Sequence, residues 1–378
     1  MAKWKIGFIG TGHRSAFYIR VAKMLPDLFE VCCAMDINAE RVKLFAETWG
    51  IQGFTSAEEM FNSCKPDFVV AAVVPEIAGT CIRECVKAGV PVLSETPPAL
   101  SLADLIELND MVKHGAKIQV AEQYNFIPLY ASILEVIRSG RIGDVSHAQV
   151  GLAHLHHGYS LLRNILGLGF ENAKVTAFRF EEPILDGPTR FGTYVPKERN
   201  IHPSTHTMAM LEFEGKSGVF EFVDNESYNS WIRMPHVRVF GSTGEITDST
   251  VRMLKDQATP VTMDIKRMET VWYDYMLLYG LTLGDEWIYK NKYQPVARGA
   301  SFTTFYGRSV DFSSPNFRLS DGEIAIADVL VGMGEYASGG PEIYSLAEAS
   351  QDQYMVLCME ESVATGKPVM MTTQSWAR

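Results

Sequence analysis

The chain has 378 residues, of which 47% are hydrophobic and 21% charged, with a formal net charge of −11. That length accommodates two domains of ordinary size. The acidic balance excludes nucleic acid or an anionic membrane face as the main partner, since both demand a basic footprint, but leaves room for an anionic ligand held by helix N–H groups.

The first third alternates strand and helix. "WKIGFIG" (4–10) predicts a short apolar strand ending in glycine, and residues 14–25 follow with Phe17, Val21, Met24 and Leu25 on one helical stripe. "FEVCCAMD" (29–36) predicts the next strand, and 38–49 a helix with Val42, Phe45, Ala46 and Trp49 on one face. "DFVVAAVVP" (67–75) is apolar throughout, the pattern of a strand buried on both faces. A helix over 76–88, a strand over 91–95, a helix over 101–113 and a strand over 117–124 complete the alternation. Such an order means a parallel sheet with right-handed crossovers.

Beyond a helix at 129–138, strands are predicted at 144–152, 173–180, 206–214, 217–224 and 236–241, interrupted by one clear helix at 159–167. Helices over about 320–334 and 346–365 close the chain, and the polar stretches 181–205 and 290–318 read as loops near the site. The expected architecture is α/β. An N-terminal Rossmann domain with a doubly wound parallel sheet takes residues 1–126. A C-terminal α+β domain on a mostly antiparallel open sheet takes 127–378, for substrate binding and oligomerisation.

Cys32, Cys33, Cys64, Cys81, Cys85 and Cys358 show no zinc-ribbon or C-x-x-C spacing and read as buried thiols of a reducing compartment. The first strand leaves no room for a signal peptide, and no apolar run approaches the roughly 20 residues of a membrane span. A cytoplasmic location away from membranes is expected.

The sharpest motif is Gly10-x-Gly12-x-x-Ser15, between a predicted strand and a predicted helix. Gly10 permits the tight turn, and Gly12 lets the backbone approach a pyrophosphate, with Thr11, His13 and Arg14 completing the loop. Ser15 is small enough for close helix–strand packing. Asp36, 24 residues beyond Gly12, ends the next strand where an acid holds the ribose hydroxyls of NAD and repels a 2′-phosphate. NAD is therefore the expected cofactor, with Val74, Pro75, Glu95, Thr96 and Gln123 as further contacts.

Two other stretches carry chemistry. "VPVLSETPPALS" (90–101) ends a strand in a charge and two prolines; Thr96 forms hydrogen bonds but carries no charge, so it positions a ligand rather than acting as a base. Pro97 fixes the turn, cis peptides being nearly confined to X-Pro bonds. "HLHHGY" packs His154, His156, His157 and Tyr159 together, with Arg163 one turn on, and histidine is suited to moving a proton near neutral pH. No carboxylate or cysteine stands at matching spacing, so no metal is expected. His202 and His206 are candidates for the same cleft. Tyr124 stands at a strand end, where open α/β sheets bind ligands, or packs as an interdomain aromatic.

The order of elements, together with "AGVPVLSETPPALSLADLIELNDM", "AEQYNFIP", "THTMAMLEFEGKSGVFEF", "VRVFGSTGEI" and "YMVLCMEESVATGKPV", resembles the Gfo/Idh/MocA oxidoreductase family over nearly the whole chain. That family carries Glu-Lys-Pro where this chain has Glu95-Thr96-Pro97. The resemblance implies a lysine at the nicotinamide end of the cofactor and a histidine, often in Asp-x-x-x-His, on the helix facing the sheet. Here Thr96 takes the lysine position, His157 the histidine position and Ala153 the aspartate position.

What it implies is an NAD-dependent oxidoreductase passing hydride between nicotinamide and a sugar or polyol-like substrate at the cleft between domains. His157 is expected to accept the proton, with His156 or Tyr124 in reserve, and Tyr159, Arg163, His202 and His206 to touch substrate. Two alternatives stay open. One is a redox-cycling glycosidase or lyase that oxidises, eliminates and re-reduces; the other is a non-catalytic module sensing NAD or a sugar. A homodimer or homotetramer is expected, because Val219, Phe220, Phe222, Val237 and Val239 put apolar side chains on both faces of a sheet for which only one layer of helices is drawn.

Overall fold

The computed structural model describes residues 3–189, 198–224, 229–233, 235–272, 275–293, 301–303, 309–311 and 319–377. The chain divides into two compact units, one of residues 1–131 and 266–350, the other of residues 132–265 and 351–378. Each unit is assembled from two stretches of chain, where the sequence suggests two continuous domains meeting at 126/127.

The first unit is built on β1 (Trp4–Ile9), β2 (Phe29–Met35), β3 (Gln52–Phe54), β4 (Phe68–Ala71), β5 (Val92–Ser94) and β6 (Ile118–Val120). Their order is β3-β2-β1-β4-β5-β6, with every neighbouring pair parallel. The connections are α1 (His13–Met24), α2 (Ala39–Trp49), α3 (Ala57–Cys64), α4 (Pro75–Lys87) and α5 (Leu102–Lys113). Ile6, Phe8, Phe68, Val69 and Val70 are wholly buried, as a sheet covered on both faces requires. The doubly wound sheet agrees with expectation; β3 and α3 do not appear in the sequence reading. "QGF" is too short and polar to announce a strand, and α3 buries only Met60. The strand order reverses between β1 and β4, so the carboxyl ends of these two strands mark the switch point where open α/β sheets take ligands.

The second unit begins within α6 (Pro128–Arg138) and continues through β7 (Val145–Gly151), α7 (Leu155–Leu166), β8 (Ala173–Leu185), β9 (Ile201–Phe213), β10 (Lys216–Val223), β11 (His236–Gly241), β12 (Gly244–Thr247), β13 (Thr250–Asp256) and the start of β14 (Thr259–Trp272). After β14 the chain forms the hairpins β15 (Tyr275–Leu283)–β16 (Glu286–Lys290) and β17 (Ser301–Thr303)–β18 (Ser309–Asp311), then α8 (Asp321–Ala337), α9 (Leu346–Thr365) and β19 (Val369–Met371). The rest of the predicted loop 290–318 lies outside the described residues. In the second unit the strands run β14-β13-β12-β11-β7-β10-β9-β8-β19; β10 pairs with β7 in parallel and the other described pairs are antiparallel.

The predicted loop 181–205 is corrected at both ends. β8 and β9 stay paired from Glu181↔Thr205 to Leu185↔Ile201. Pro183 faces Pro203 in that ladder, and two prolines hide a strand from any propensity argument.

One face of this sheet is covered by helices. Val175, Ala177, Ala209, Leu211, Phe220, Val237 and Val239 are buried on it. A Cβ at Gly158 of α7 would meet the Phe220 ring at 2.4 Å, so glycine alone permits that approach. The opposite face carries Thr176, Phe178, Met208 and Met210, with Phe178 55% and Met210 47% exposed. Of the residues expected to straddle the sheet, only Val219 lies on this open face, opposite Met210.

Segment 319–350 completes the first unit. Ser320 and Glu323 form a reciprocal capping box at the start of α8. Arg20 of α1 pairs with Glu323 at 3.1 Å, and Gln119 Oε1 accepts the N–H groups of Ile343 and Tyr344. No helix of the described residues is long and apolar enough to cross a membrane.

In the second unit α7 and α9 are locked by Arg163 and Asp352, whose Nη1 and Oδ1 lie 2.8 Å apart with both side chains 2% exposed. Asp352→Asn should leave a buried guanidinium uncompensated and cost about 3–5 kcal/mol. Urea unfolding should show this as a lower midpoint at unchanged slope, and Arg163→Met combined with Asp352→Leu should recover most of the loss.

Candidate functional site

The ligand end of the first unit starts at Gly10. Its φ is +89°, and a Cβ there would lie 2.4 Å from the Ala72 carbonyl oxygen beyond β4, so backbone conformation and close approach both demand glycine. α1 then begins with Gly12 at its N-cap, no side-chain cap and no acid in its first turn. By contrast Asn38, Ser56, Ser101 and Ser320 cap α2, α3, α5 and α8. α4, which starts at Pro75 after the exposed Val74, also lacks a side-chain cap. Neither helix start at the switch point is capped by a side chain, and a helix N-terminus offers the chemistry a pyrophosphate needs.

Asp36 closes the loop from β2. The N–H and hydroxyl of Thr11 donate to its Oδ2 at 3.0 and 2.7 Å, and the Asn38 N–H donates to Oδ1 at 3.0 Å. Burial pushes this carboxyl up, but those hydrogen bonds and the Arg41 charge outweigh it and hold Asp36 below the usual range. It is therefore ionised, and a carboxylate has lone pairs left for ribose hydroxyls. Ser15 Oγ donates to the Gly10 carbonyl at 2.7 Å, which accounts for serine at the third motif position. The His13 ring packs edge-on against Phe17.

Glu95, at the end of β5, is engaged by its own unit. Arg14 Nε and the Tyr18 hydroxyl donate to Oε1, the latter at 2.7 Å, and the Thr96 N–H donates to Oε2 at 3.1 Å. Arg14 Nη2 also donates to Gln123 Oε1 at 2.8 Å. Burial raises the Glu95 carboxyl, yet the Arg14 charge and these hydrogen bonds bring it below its ordinary value; burial likewise drives the Tyr18 phenol well up. Arg14, expected on the cofactor, donates to both Glu95 and Gln123, two further expected contacts. Tyr18, which the sequence reading missed, completes the group; its position one turn beyond Arg14 was the available signal. Thr96 is half-buried with its hydroxyl 3.5 Å from Glu95 Oε2, and the Thr96–Pro97 peptide is cis.

Tyr124 is not at a strand end. β6 stops at Val120, and Tyr124 opens a short 3₁₀ turn, Tyr124–Phe126. Its N–H donates to Glu122 Oε1, and its ring stacks on Tyr130 at 6.4 Å.

The second unit gathers the histidines. Leu155, at φ +48°, begins α7 in a left-handed conformation and folds His154 back toward His156 and His157. Ring centroids are 4.3 Å apart for His156–His157, 5.0 Å for His154–His157 and 5.9 Å for His154–His156. One nitrogen from each lies within 4.8 Å of the others, a convergence that the sequence argument against a metal did not foresee. His156 is 7% exposed, and neither ring nitrogen has a hydrogen-bond partner. Burial, then the neighbouring His157 and His154, keep it well below the ordinary histidine range, so it is neutral. A buried, neutral His156 is a poor reserve proton acceptor; His157 is half-buried and His154 exposed.

Four expected substrate contacts stand in different surroundings. Tyr159 is wholly buried and stacked on Phe220 at 4.6 Å, which makes it core. Arg163 is spent on Asp352 and on the Gly169 carbonyl. His202 and His206 lie on the sheet's open face. His206 stands opposite Phe180 and Val223, whereas the adjacent Thr207 pairs with Phe222, the residue whose ring meets His154. His202 Nε2 is 2.8 Å from Asp186 Oδ1; His206 lies 3.3 Å from Glu182 and 3.0 Å from Glu221, whose other oxygen is 3.7 Å from His236. Glu182, Glu221 and His236 come from three different strands, so only the register reveals this row.

Residues 4–126 match the profile of Gfo/Idh/MocA, an oxidoreductase family with an NAD-binding Rossmann fold. An uncharacterised oxidoreductase of Bacillus subtilis, YrbE, is 21% identical over 276 residues, 71% of this chain and 78% of its own. Inositol 2-dehydrogenase 2 of Saccharopolyspora erythraea is 29% identical over 250 residues, 63% of this chain and 71% of its own. Among solved structures, levoglucosan dehydrogenase in complex with NADH and L-sorbose superposes with a TM-score of 0.68 at 18% identity, covering 99% of this chain and 100% of that one. At that identity the superposition speaks for the fold.

Two outcomes follow from the ionised carboxylates. Asp36→Ala should narrow the preference for NAD over NADP, since it removes repulsion of a 2′-phosphate and charge-assisted hydrogen bonds worth about 1.5–3 kcal/mol; titration calorimetry with both cofactors measures it, and equal affinities in the unmutated protein would contradict the assignment. Glu95 has a lowered folded pKa, so its contribution to stability is full above the unfolded value of about 4.3 and is lost as pH falls through the folded one. Glu95→Gln should flatten the acid limb of the stability curve while lowering the neutral plateau.

Proposed function

We propose that this chain, a member of the Gfo/Idh/MocA oxidoreductase family, exchanges hydride between NAD and a sugar or polyol-like substrate. The observation that carries the reading is the combination at one switch point of the Gly10–Gly12 turn, an uncapped α1 and the ionised Asp36. The inositol and levoglucosan dehydrogenases among the relatives support the substrate class.

NAD supplies the hydride chemistry; the chain binds, orients and moves protons. Gly10, Thr11, Gly12, His13, Val74 and Pro75 hold the pyrophosphate end and Asp36 the ribose, while Arg14, Glu95 and Gln123 act as positioning residues that fix Thr96 and the start of α1. His157 takes the hydroxyl proton. Its ring lies 4.3 Å from that of His156.

A second reading, the redox-cycling glycosidase or lyase, is favoured by Thr96. The residue is neutral, and its backbone N–H is committed to the Glu95 carboxylate. Absorbance of NADH during turnover on sugars and glycosides separates the readings: accumulation supports the dehydrogenase, product without accumulation supports the cycle, and a bound cofactor with no product on any panel supports a sensing module. We further propose that the chain self-associates through the open sheet face bearing Phe178, Phe180 and Met210; light scattering showing a monomer at micromolar concentration would sink that.

His157→Ala should lower the rate by about 10²–10⁴, the usual worth of a general acid–base group, with NAD affinity within a few-fold. Thr96→Ala should cost roughly tenfold or less, because a single neutral hydrogen bond is worth about 0.5–1.5 kcal/mol. Thr96→Lys should raise NADH production in a dehydrogenase and impair turnover in a redox-cycling enzyme. Equal losses in Thr96→Ala and His157→Ala would place the threonine hydroxyl on the proton path and overturn the assignment.

A further inference from the structure

We infer that His154, His156 and His157 form a binding site for a divalent transition-metal cation of the zinc class, with one coordination position open to an oxygen ligand. Three observations carry it. The first is convergence: one nitrogen from each ring lies within 4.8 Å of the other two. Zinc–imidazole bonds of about 2.0–2.1 Å put tetrahedral ligands about 3.3 Å apart, so modest side-chain rotations close the site. Interplanar angles of 78°, 88° and 54° set the rings at angles to one another rather than in a parallel stack, so their nitrogens can share a centre.

The second is the orphaned ring of His156. It is 7% exposed with neither nitrogen bonded, and a buried polar side chain without a partner is rare and costly in folded proteins. A cation on one nitrogen supplies what the protein does not.

The third is the donor set. Three imidazoles suit zinc and its transition-metal neighbours rather than magnesium or calcium, which prefer oxygen. Among the described residues this group contains no fourth histidine, cysteine or carboxylate, and His154 is exposed, so a fourth position opens to solvent. Three protein ligands with an open position is the arrangement of catalytic rather than structural zinc. A cation there would polarise a bound water or substrate oxygen, and the acid–base role assigned to His157 in the metal-free protein would pass to that oxygen. This consequence rests on the proposed function; the binding itself does not.

Cys32, Cys33 and Cys64 also converge, in the first unit, with 3.4 Å between the sulfurs of Cys32 and Cys33, so a metal assay has to separate the two clusters. The full-length chain, stripped with a chelator, reloaded with zinc and dialysed, should retain one zinc per chain by elemental analysis. His154→Ala and His156→Ala should each abolish retention, while Cys32→Ser with Cys64→Ser should leave it intact. His154 is exposed, so its variant stays informative even where the buried His156→Ala fails to fold. Cobalt(II) in place of zinc should give the visible bands of a tetrahedral nitrogen–oxygen site without a thiolate charge-transfer band. Failure to retain zinc, retention in His154→Ala, or a thiolate band would each overturn the site. NAD turnover on the same samples keeps the two readings apart. Turnover in stripped protein that never takes up zinc overturns the metal site and leaves the oxidoreductase; histidine-dependent zinc without turnover on any sugar supports the site and removes the dehydrogenase.

Discussion

One buried carboxylate organises the ligand end of the first unit. Glu95 sits where β5 stops, and a charge in that position needs partners to be tolerated. It finds them in Arg14 and Tyr18 on α1 and in the N–H of Thr96, while Arg14 reaches on to Gln123 past β6. The start of α1 is thereby tied to the ends of β5 and β6. This is why the start of α1 after Gly12 has a fixed direction. The carboxylate that reads in sequence as a cofactor contact also fastens α1 to the end of β5.

The two units supply chemically different groups. In the first, the charges do not change near neutral pH: Asp36 and Glu95 are held ionised, Arg14 is held protonated, and the helix N-termini carry fixed partial charge. Such a set suits holding a cofactor whose own charge is constant. In the second unit the chemistry-bearing groups are imidazoles, the one side chain whose ordinary pKa lies in the working range.

How much of this was legible in the sequence follows from how local each signal is. Gly10, Gly12 and Asp36 lie within one strand–helix–strand unit, so spacing alone placed them. Arg14 and Gln123 were legible as polar residues at the right end of the sheet but not as partners of Glu95, because that depends on three strand ends meeting. Tyr159 and Arg163 share α7 with the histidines, and periodicity gives a helix its faces without saying which one is turned inward; the answer came from Phe220 and Asp352, distant in sequence. The sheet face on which His202 and His206 stand was illegible for another reason. Side chains alternate along a strand, so a register known to within one residue leaves the choice of sheet face undecided. The return of 319–350 to the first unit was equally invisible. α8 reads as a strongly apolar helix, with Ile324, Ile326, Val329, Leu330 and Met333 all buried, but nothing in its pattern names the surface that covers it.

The histidine cluster joins these arguments at one turn of backbone. A regular helix would spread residues 154, 156 and 157 around its circumference, with 154 and 156 on nearly opposite sides. The left-handed Leu155 breaks that geometry and leaves His154 outside the helix, its ring edge-on to both of its neighbours. A branched aliphatic residue pays a conformational penalty to sit there, and such strain persists only where the surroundings impose it. Around this turn those surroundings include Gly158 pressed against Phe220 beneath and Phe222 beside His154. Packing on the covered face of the sheet thus sets the position of three nitrogen donors, and the buried one among them, His156, has been given no partner by the protein itself.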